Sequence, residues 1–198
     1  MQGSSMDNMD NESILIIGPM GVGKSSAAKA LSSILSIEYI NVDELRWEYF
    51  YGQTDFNKQF VDQLFNEKKF IEAFAYMKPF EARYAVDILA KYDAGVFDFG
   101  AGYSVYQNNE LFEKVRTAFA KFKHVILLRY SNDAAESLEA LRGRHPDVPE
   151  DFYYVFNKEF IESRCNEVLS TCIIDTKNKT VQEVVDLILQ KYKADTSY

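Results

Sequence analysis

The residues with the clearest chemical signal form the segment from Gly18 to Ser25, which reads Gly-Pro-Met-Gly-Val-Gly-Lys-Ser. This segment fits the pattern G-x-x-x-x-G-K-[ST] without a substitution. Its glycines allow consecutive backbone N–H groups to turn towards a phosphate chain, and the N-terminus of a following helix adds partial positive charge. Lys24 is expected to reach the β- and γ-phosphates of a nucleotide, and the Ser25 hydroxyl to coordinate Mg²⁺. The residues expected to bind the nucleotide here are Gly18, Pro19, Met20, Gly21, Val22, Gly23, Lys24, Ser25 and Ser26.

The flanking sequence favours this interpretation over a glycine-rich turn that binds nothing. The apolar run 13–17 precedes the segment and is typical of a buried strand, and 26–35 follows it with the composition of a helix. A strand, a glycine-rich loop and a helix in this order are the context that the motif requires. We therefore predict that Gly18–Ser25, called the phosphate loop below, binds a nucleoside triphosphate.

Asp98 is a second candidate for the site, because it ends the apolar stretch Ala94–Asp98. Many nucleotide-binding proteins carry a carboxylate at the end of such a strand, where it holds Mg²⁺. The alternative is that Asp98 stabilises a turn by accepting hydrogen bonds from backbone N–H groups. We expect Ser25 and Asp98 to support the metal.

Strands and helices alternate along the chain, as the spacing of apolar residues indicates. Strands are predicted at 13–17, 38–42, 94–98, 124–128 and 171–174. Helices are predicted at 26–35, 80–91, 109–122, 132–142, 152–169 and 181–192. Helical spacing dominates from 44 to 92, with a break expected at Lys78-Pro79 because proline disfavours helix at the residue before it.

This alternation predicts a parallel sheet covered by helices on both faces, a three-layer α/β/α sandwich. Ligands in such sheets bind beyond the carboxyl ends of the strands. The phosphate loop, Asp43 after the second strand, Asp98–Gly102 after the third and the loop after Leu128 should therefore converge on one cleft.

Composition limits the class of protein. The 198 residues fit one domain, expected at 13–194 after a polar leader or tag remnant at 1–12. A net charge of −8 argues against a nucleic-acid surface, which needs clustered basic residues. No apolar run approaches the roughly 20 residues of a membrane span, and two cysteines fit a reducing cytoplasm. We expect a cytoplasmic monomer without a nucleic-acid or membrane partner.

These motifs resemble those of the shikimate kinase group of small P-loop kinases, and the similarity runs from Ser13 to Tyr192. The matching segments are the phosphate loop, Asp43, Gly100-Ala101-Gly102, Leu138–Arg144 and Ile173–Thr176. The resemblance implies a P-loop NTPase fold whose five-stranded parallel sheet has the order 2-3-1-4-5. It also implies a helical substrate-side insertion at about 44–92 and a lid at about 143–152.

The resemblance further implies ATP and Mg²⁺ as cofactors and a small hydroxylated metabolite as acceptor. Asp43 falls where the group has a carboxylate that orients the accepting hydroxyl, although capping of a helix at 44–51 is an alternative role. Arg142 should lie against the adenine, and Arg144 should reach the phosphates when the lid closes. The alternative for both is a solvated arginine at a helix C-terminus. Catalytic roles are thus expected for Lys24, Asp43 and Arg144.

Asn41 falls where the group carries an earlier carboxylate that supports the metal. An amide supplies no charge, so we expect this support to come from Asp98 instead.

The acceptor side departs from the group's pattern. Shikimate kinases hold an anionic substrate with two arginines, whose positions fall here on Glu81 and Glu162. Arg83 and Arg164 lie two residues further on, roughly 200° around a helix. We expect a more acidic and aromatic pocket for a neutral or cationic acceptor, unless both glutamates are solvated helix residues. The residues expected to bind substrate are Asp43, Trp47, Arg83, Gly100, Ala101, Gly102 and Tyr103.

The sequence therefore predicts an ATP-dependent small-molecule kinase whose acceptor is not shikimate. Two alternatives stay open. A nucleoside or nucleotide kinase would need a base-reading pocket, and a nucleotide-binding switch would hydrolyse ATP slowly and signal through its lid. Asn41 and the missing arginines are compatible with the switch, and acceptor-dependent release of ADP separates it from a kinase.

Overall fold

A single parallel sheet forms the centre of the molecule. The computed structural model describes residues 13–196, and the expected leader at 1–12 lies outside this range. The strands are β1 (Ile14–Ile17), β2 (Tyr39–Asn41), β3 (Val96–Asp98), β4 (His124–Arg129) and β5 (Cys172–Asp175). They are ordered β2-β3-β1-β4-β5, and each adjacent pair is parallel. The predicted order 2-3-1-4-5 is confirmed.

Helices cover both faces of this sheet. In chain order they are α1 (Lys24–Leu35), α2 (Val42–Tyr51), α3 (Lys58–Asn66), α4 (Phe70–Lys91), α5 (Asn109–Phe119), α6 (Ala134–Arg142), α7 (Glu150–Glu162), α8 (Arg164–Leu169) and α9 (Val181–Thr196). A 3-10 turn at Ala101–Ser104 follows β3.

The central strand β1 shows why the protein has three layers. Successive side chains of a strand point to opposite faces, so a strand between two helical layers is apolar throughout. Leu15 and Ile17 lie in the core that includes α4 residues, and Ile14 and Ile16 lie in the core that includes Leu31 of α1. The predicted α/β/α sandwich is confirmed.

The break predicted at Lys78-Pro79 is wrong, because α4 runs through Pro79 without interruption. Met77 and Phe80, on either side of the proline, are buried in the same core, whereas Pro79 itself is exposed. Tertiary packing on both sides thus maintains the helix despite the hydrogen bond that proline cannot donate. One consequence is that Lys78 and Glu81 lie on consecutive turns of one helix.

The single helix predicted at 152–169 is also wrong, because the chain forms α7 and α8 with Ser163 between them. Ser163 has extended backbone angles of φ −69° and ψ 123°, and its hydroxyl accepts a hydrogen bond from the Cys165 N–H at 3.2 Å. A serine that caps a following helix in this way ends the preceding one.

The helical region predicted at 44–92 contains α2, α3 and α4, and contacts between α2 and α4 position the start of α2. The buried Tyr84 of α4 donates a hydrogen bond from its hydroxyl to the Val42 carbonyl at 2.9 Å. Phe50 of α2 packs against Phe80 and Tyr84. This anchorage fixes the first turn of α2, which carries Asp43.

Candidate active site

The phosphate loop joins β1 to α1, as the motif predicts. Gly18 has a φ of +140°, and a Cβ atom there would overlap the Leu128 carbonyl oxygen of β4. Only glycine suits both the left-handed backbone and this close approach. The loop therefore turns at the carboxyl edge of the sheet and presents its backbone to the start of α1.

Lys24 is buried at this edge, with 9% of its surface exposed. Its ammonium group donates a hydrogen bond to the Pro19 carbonyl at 2.8 Å, across the phosphate loop. Burial lowers the pKa of Lys24, and the nearby carboxylates of Asp98 and Asp43 oppose that effect. The structure thus brings together three of the predicted residues.

Asp98 lies at the end of β3, opposite Ile16 of β1 and Asn41 of β2. It is 5% exposed, and one carboxylate oxygen accepts a hydrogen bond from the Tyr39 hydroxyl at 2.9 Å. Burial and the charge of Asp98 raise the pKa of Tyr39, so Tyr39 stays protonated as the donor. No sequence pattern indicated this support from Tyr39.

The helix cap that was the alternative role for Asp43 belongs to Asn41. The Asn41 side chain accepts hydrogen bonds from the backbone N–H groups of Asp43 at 3.1 Å and Glu44 at 3.3 Å. Asn followed three residues later by Glu is an N-terminal helix signature, so the sequence contained this signal. Asp43 lies in the first turn of α2, and its side chain does not cap the helix.

The Asp43 carboxylate lies against Gly100, at the point where the chain leaves β3. A Cβ atom on Gly100 would lie 2.6 Å from Oδ2 of Asp43 and closer still to Oδ1. Arg46 contacts the same carboxylate through Nη1 at 3.1 Å. Asp43 and Gly100, which were both expected to bind substrate, are therefore in direct contact.

Arg46 connects Asp43 to two predicted aromatic residues. Its guanidinium carbon lies 4.8 Å from the centre of the Trp47 ring, and it is close enough to Tyr103 for the two side chains to shift each other's pKa. Tyr103 is 1% exposed, whereas Trp47 is half-buried beside the core.

Glu81 is buried on the acceptor side, with 3% of its surface exposed. The Lys78 ammonium lies 2.9 Å from Glu81 Oε2 and donates a hydrogen bond to the Gly102 carbonyl at 2.7 Å. The interpretation of Glu81 as a solvated helix residue is therefore wrong. Lys78 was missed, although its spacing of three residues from Glu81 is that of a helical ion pair.

The other charged residues considered for the acceptor side lie elsewhere. Glu162 is exposed at the end of α7 and is 4.0 Å from Lys158. Arg164 is exposed at the start of α8. Arg83 forms an ion pair with Asp55 at 3.0 Å and donates a hydrogen bond to Gln53 at 3.0 Å.

Residues at and beside the predicted lid contact the phosphate loop. Arg144 donates a hydrogen bond from Nη1 to the Gly21 carbonyl at 2.8 Å. Arg142 donates one to the His145 carbonyl at 2.6 Å, and its guanidinium lies 5.2 Å from the centre of the Tyr153 ring. The His145 ring covers Gly21, because a Cβ atom on Gly21 would lie 2.9 Å from Cδ2 of the imidazole.

Nε2 of His145 is buried and has no hydrogen-bond partner among the described residues. Burial lowers its pKa, and the positive charges of Lys24, Arg142 and Arg144 lower it further. The imidazole is therefore uncharged at neutral pH in this arrangement.

Asn157 of α7 holds the phosphate loop from the opposite side, and sequence reasoning missed it. Its Oδ1 accepts a hydrogen bond from the Met20 N–H at 2.8 Å, and its Nδ2 donates one to the Met20 carbonyl at 3.4 Å. Asn157 is fully buried, so these bonds are shielded from water. With a sequence separation of 137 residues, no local pattern could have indicated the contact.

The donor set suits Mg²⁺ held partly by a nucleotide. Among residues 13–196, no group of three or more His, Cys, Asp or Glu side chains could hold a metal ion. Mg²⁺ commonly uses one or two protein carboxylates together with substrate phosphates and water. The exposed Ser25 hydroxyl and the Asp98 carboxylate fit such a partial site.

The sheet order, the phosphate loop between β1 and α1 and the parallel strands define a P-loop kinase α/β fold. Across the described part of the chain, no helix has the length and apolar character needed to cross a membrane. No family model matches the sequence, and no curated protein matches it.

Solved structures give the particular fold. Shikimate kinase from Acinetobacter baumannii in complex with shikimate has a TM-score of 0.67 at 16% identity, over 94% of this chain and 95% of that one. Shikimate kinase from Aquifex aeolicus has 0.60 at 20% identity, over 93% and 98%. A gluconokinase from Sinorhizobium meliloti has 0.54 at 16% identity, over 94% of each chain. The chain has the shikimate kinase-like fold.

Proposed function

We propose that this protein transfers the γ-phosphoryl group of ATP to a hydroxyl group of a small metabolite. One arrangement carries the proposal: Lys24 bonds across the phosphate loop at the carboxyl edge of the sheet, where Asp98 ends β3 and the Asp43 carboxylate lies against Gly100. Phosphoryl transfer needs a cation for the phosphates, a carboxylate for the metal and a group that orients the acceptor. The fold shared with shikimate kinases and a gluconokinase supports the same class of reaction.

On this proposal, the phosphate loop and Lys24 bind the phosphates. Ser25 and Asp98 would hold Mg²⁺, which neutralises phosphate charge when bound. Arg144 already contacts the loop at Gly21, so a small movement of the lid would bring its guanidinium to a phosphate oxygen. Arg142 would stack on the nucleotide base, a role that suits a planar guanidinium.

Asp43 would orient the accepting hydroxyl and take its proton. Desolvation by surrounding protein atoms raises the pKa of Asp43, even though 51% of its side-chain surface is accessible. Arg46 and Lys24 oppose this rise, and the carboxylates of Asp98 and Glu81 add to it. A carboxylate with a raised pKa is a better general base than an ordinary aspartate.

The proposal is tested by ADP release from Mg²⁺-ATP with a panel of hydroxylated metabolites and a control without acceptor. We expect an acceptor-dependent rate that falls about 10²-fold or more in Asp43→Asn, while the affinity for ATP stays within about twofold. Asp62→Asn is the matched control, because Asp62 pairs with Lys58 on the exposed surface of α3. Slow turnover that ignores every acceptor and is unchanged in Asp43→Asn would instead support the nucleotide-binding switch.

A further inference from the structure

Two cations on the acceptor side, Lys78 and Arg46, are already paired with carboxylates of the protein. Lys78 is held by Glu81 at 2.9 Å and by the Gly102 carbonyl at 2.7 Å, and it lies 5.1 Å from the centre of the Tyr106 ring. Arg46 is held by Asp43 at 3.1 Å. A substrate carboxylate would have to compete with these internal partners and would approach the buried charge of Glu81.

A cationic substrate meets the opposite difficulty. The two carboxylates that would attract it, Glu81 and Asp43, are the partners of Lys78 and Arg46. Breaking either pair would leave a positive charge beside the substrate, and an unpaired charge with little access to water is costly. Charge on the acceptor side is therefore balanced within the protein.

Two uncharged hydroxyl groups, in contrast, lack partners at the same place. The hydroxyls of Tyr103 and Tyr106 are buried and have no hydrogen-bond partner among the described residues, and the same holds for Nε of the charged Arg46 guanidinium. Oε2 of Glu81 likewise has no hydrogen-bond partner beyond its ion pair with Lys78. Tyr103 is 1% exposed and Tyr106 is 6% exposed. Buried polar groups are nearly always hydrogen-bonded, so several buried polar atoms without partners in one cluster indicate that a bound molecule supplies the hydrogen bonds.

A ligand hydroxyl suits these atoms that lack hydrogen-bond partners. Arg46 Nε can only donate a hydrogen bond, whereas a tyrosine hydroxyl can donate and accept. A molecule bearing several hydroxyl groups supplies both acceptors and donors without adding charge. A pocket of about 310 Å³ has Lys78 and Tyr106 in its wall, so it reaches one edge of this group of residues.

We propose that the acceptor is an uncharged molecule with several hydroxyl groups, recognised by Tyr103, Tyr106 and Arg46 while Asp43 holds the reacting hydroxyl. The inference rests on the proposed kinase function, since it names the substrate class of that site. The Lys78–Glu81 pair then acts as a specificity element, because it keeps the site electrically neutral and disfavours acids and amines.

The test compares glucose, gluconate and glucosamine, and a neutral cyclitol with its carboxylate counterpart shikimate, on the full chain. Calorimetry with Mg²⁺-ADP present measures binding, and ADP release from Mg²⁺-ATP measures turnover. We expect a neutral member to bind at least tenfold more tightly than its charged counterparts. Preference for an acid or an amine, or binding by no member, would overturn the inference.

Two outcomes of these measurements separate this inference from the kinase proposal. Tight binding of a neutral member without turnover would support the substrate class and overturn the kinase function. Turnover of gluconate or shikimate alone would support the kinase function and overturn the substrate class.

Variants of Glu81 and Lys78 test the role of the ion pair. Glu81→Gln leaves Lys78 unpaired, so the affinity for the acid relative to that for the neutral molecule should rise about tenfold. The double variant Lys78→Met with Glu81→Met removes both charges and should keep the wild-type ratio. An unchanged ratio in Glu81→Gln would contradict the role of the pair.

Discussion

Replacement of Gly100 by alanine tests the position of Asp43 with one methyl group. Gly100 has φ −58° and ψ 149°, a conformation open to any L-amino acid, so alanine strains no backbone there. The added methyl group would lie 2.6 Å from Oδ2 of Asp43, whereas ordinary contact begins near 3.4 Å. The carboxylate would have to move by about 1 Å to restore normal contacts with both of its oxygens.

This displacement should affect catalysis far more than stability. The Asp43 side chain is half accessible, so its carboxylate can rotate towards solvent without disturbing the core. We expect the free energy of unfolding to change by no more than about 0.5 kcal/mol, as for other substitutions outside the core. A misplacement of about 1 Å at a reacting group lowers the rate about 10²-fold. Acceptor-dependent turnover should fall by that factor, with the affinity for ATP retained.

The assay is ADP release with the best acceptor of the panel, accompanied by thermal denaturation. Gly52→Ala is the matched control, because Gly52 has a φ of −77° and its added methyl group would lie 3.4 Å from the Tyr49 carbonyl oxygen, an ordinary contact. Full activity of Gly100→Ala would refute the requirement for Asp43 in its observed position. A parallel loss of activity and melting temperature would show instead that the methyl group damages the fold.

Three further predictions follow from contacts around the phosphate loop and α4. Burial lowers the pKa of Lys24, and the charge of Asp98 opposes this effect, so Asp98→Asn should lower the pKa further. As the pH is raised, the affinity for ATP measured without Mg²⁺ should therefore begin to fall at a lower pH in Asp98→Asn than in the wild type, because Lys24 loses its charge earlier. An identical pH profile would contradict this prediction. Asn157→Leu should weaken ATP binding about tenfold by calorimetry, whereas Asn166→Leu, which breaks buried hydrogen bonds to Ser104 and α7, should not. Pro79→Ala should raise the free energy of unfolding by about 1–2 kcal/mol in denaturant titrations, because alanine restores a helical hydrogen bond; no gain would show that α4 is unstrained there.

The nucleotide side could be predicted because its residues follow directly from strand ends. An apolar strand β1, followed by glycines and then by Lys24 at the start of α1, predicts a phosphate-binding loop between strand and helix. Asp98 is placed by β3, which pairs with β1 so that Asp98 lies opposite Ile16. In a parallel sheet such neighbouring strand ends share one edge, so the sequence order of the strands largely determines the cleft.

Contacts that depend on packing between distant helices could not be predicted. Proline in α4 is a strong local signal for a break, yet the burial of Met77 and Phe80 outweighs it. Asn157 reaches Met20 only because α7 packs beside the phosphate loop. Such contacts depend on the whole tertiary arrangement, which a local pattern does not contain.

Acceptor specificity shows most clearly why the pairing of charges matters more than their number. Glu81 alone, inferred from the sequence, indicates an acidic pocket that could attract a cation. The structure keeps Glu81 but places Lys78 beside it on the unbroken helix α4, so the pair adds no net charge. The uncharged hydroxyls of Tyr103 and Tyr106 remain without hydrogen-bond partners among the described residues. A buried polar atom without a hydrogen-bond partner favours a substrate that supplies a matching polar group. A charge that is already paired within the protein disfavours a charged substrate, which would have to break that pair. The site therefore favours a hydroxyl-rich neutral acceptor.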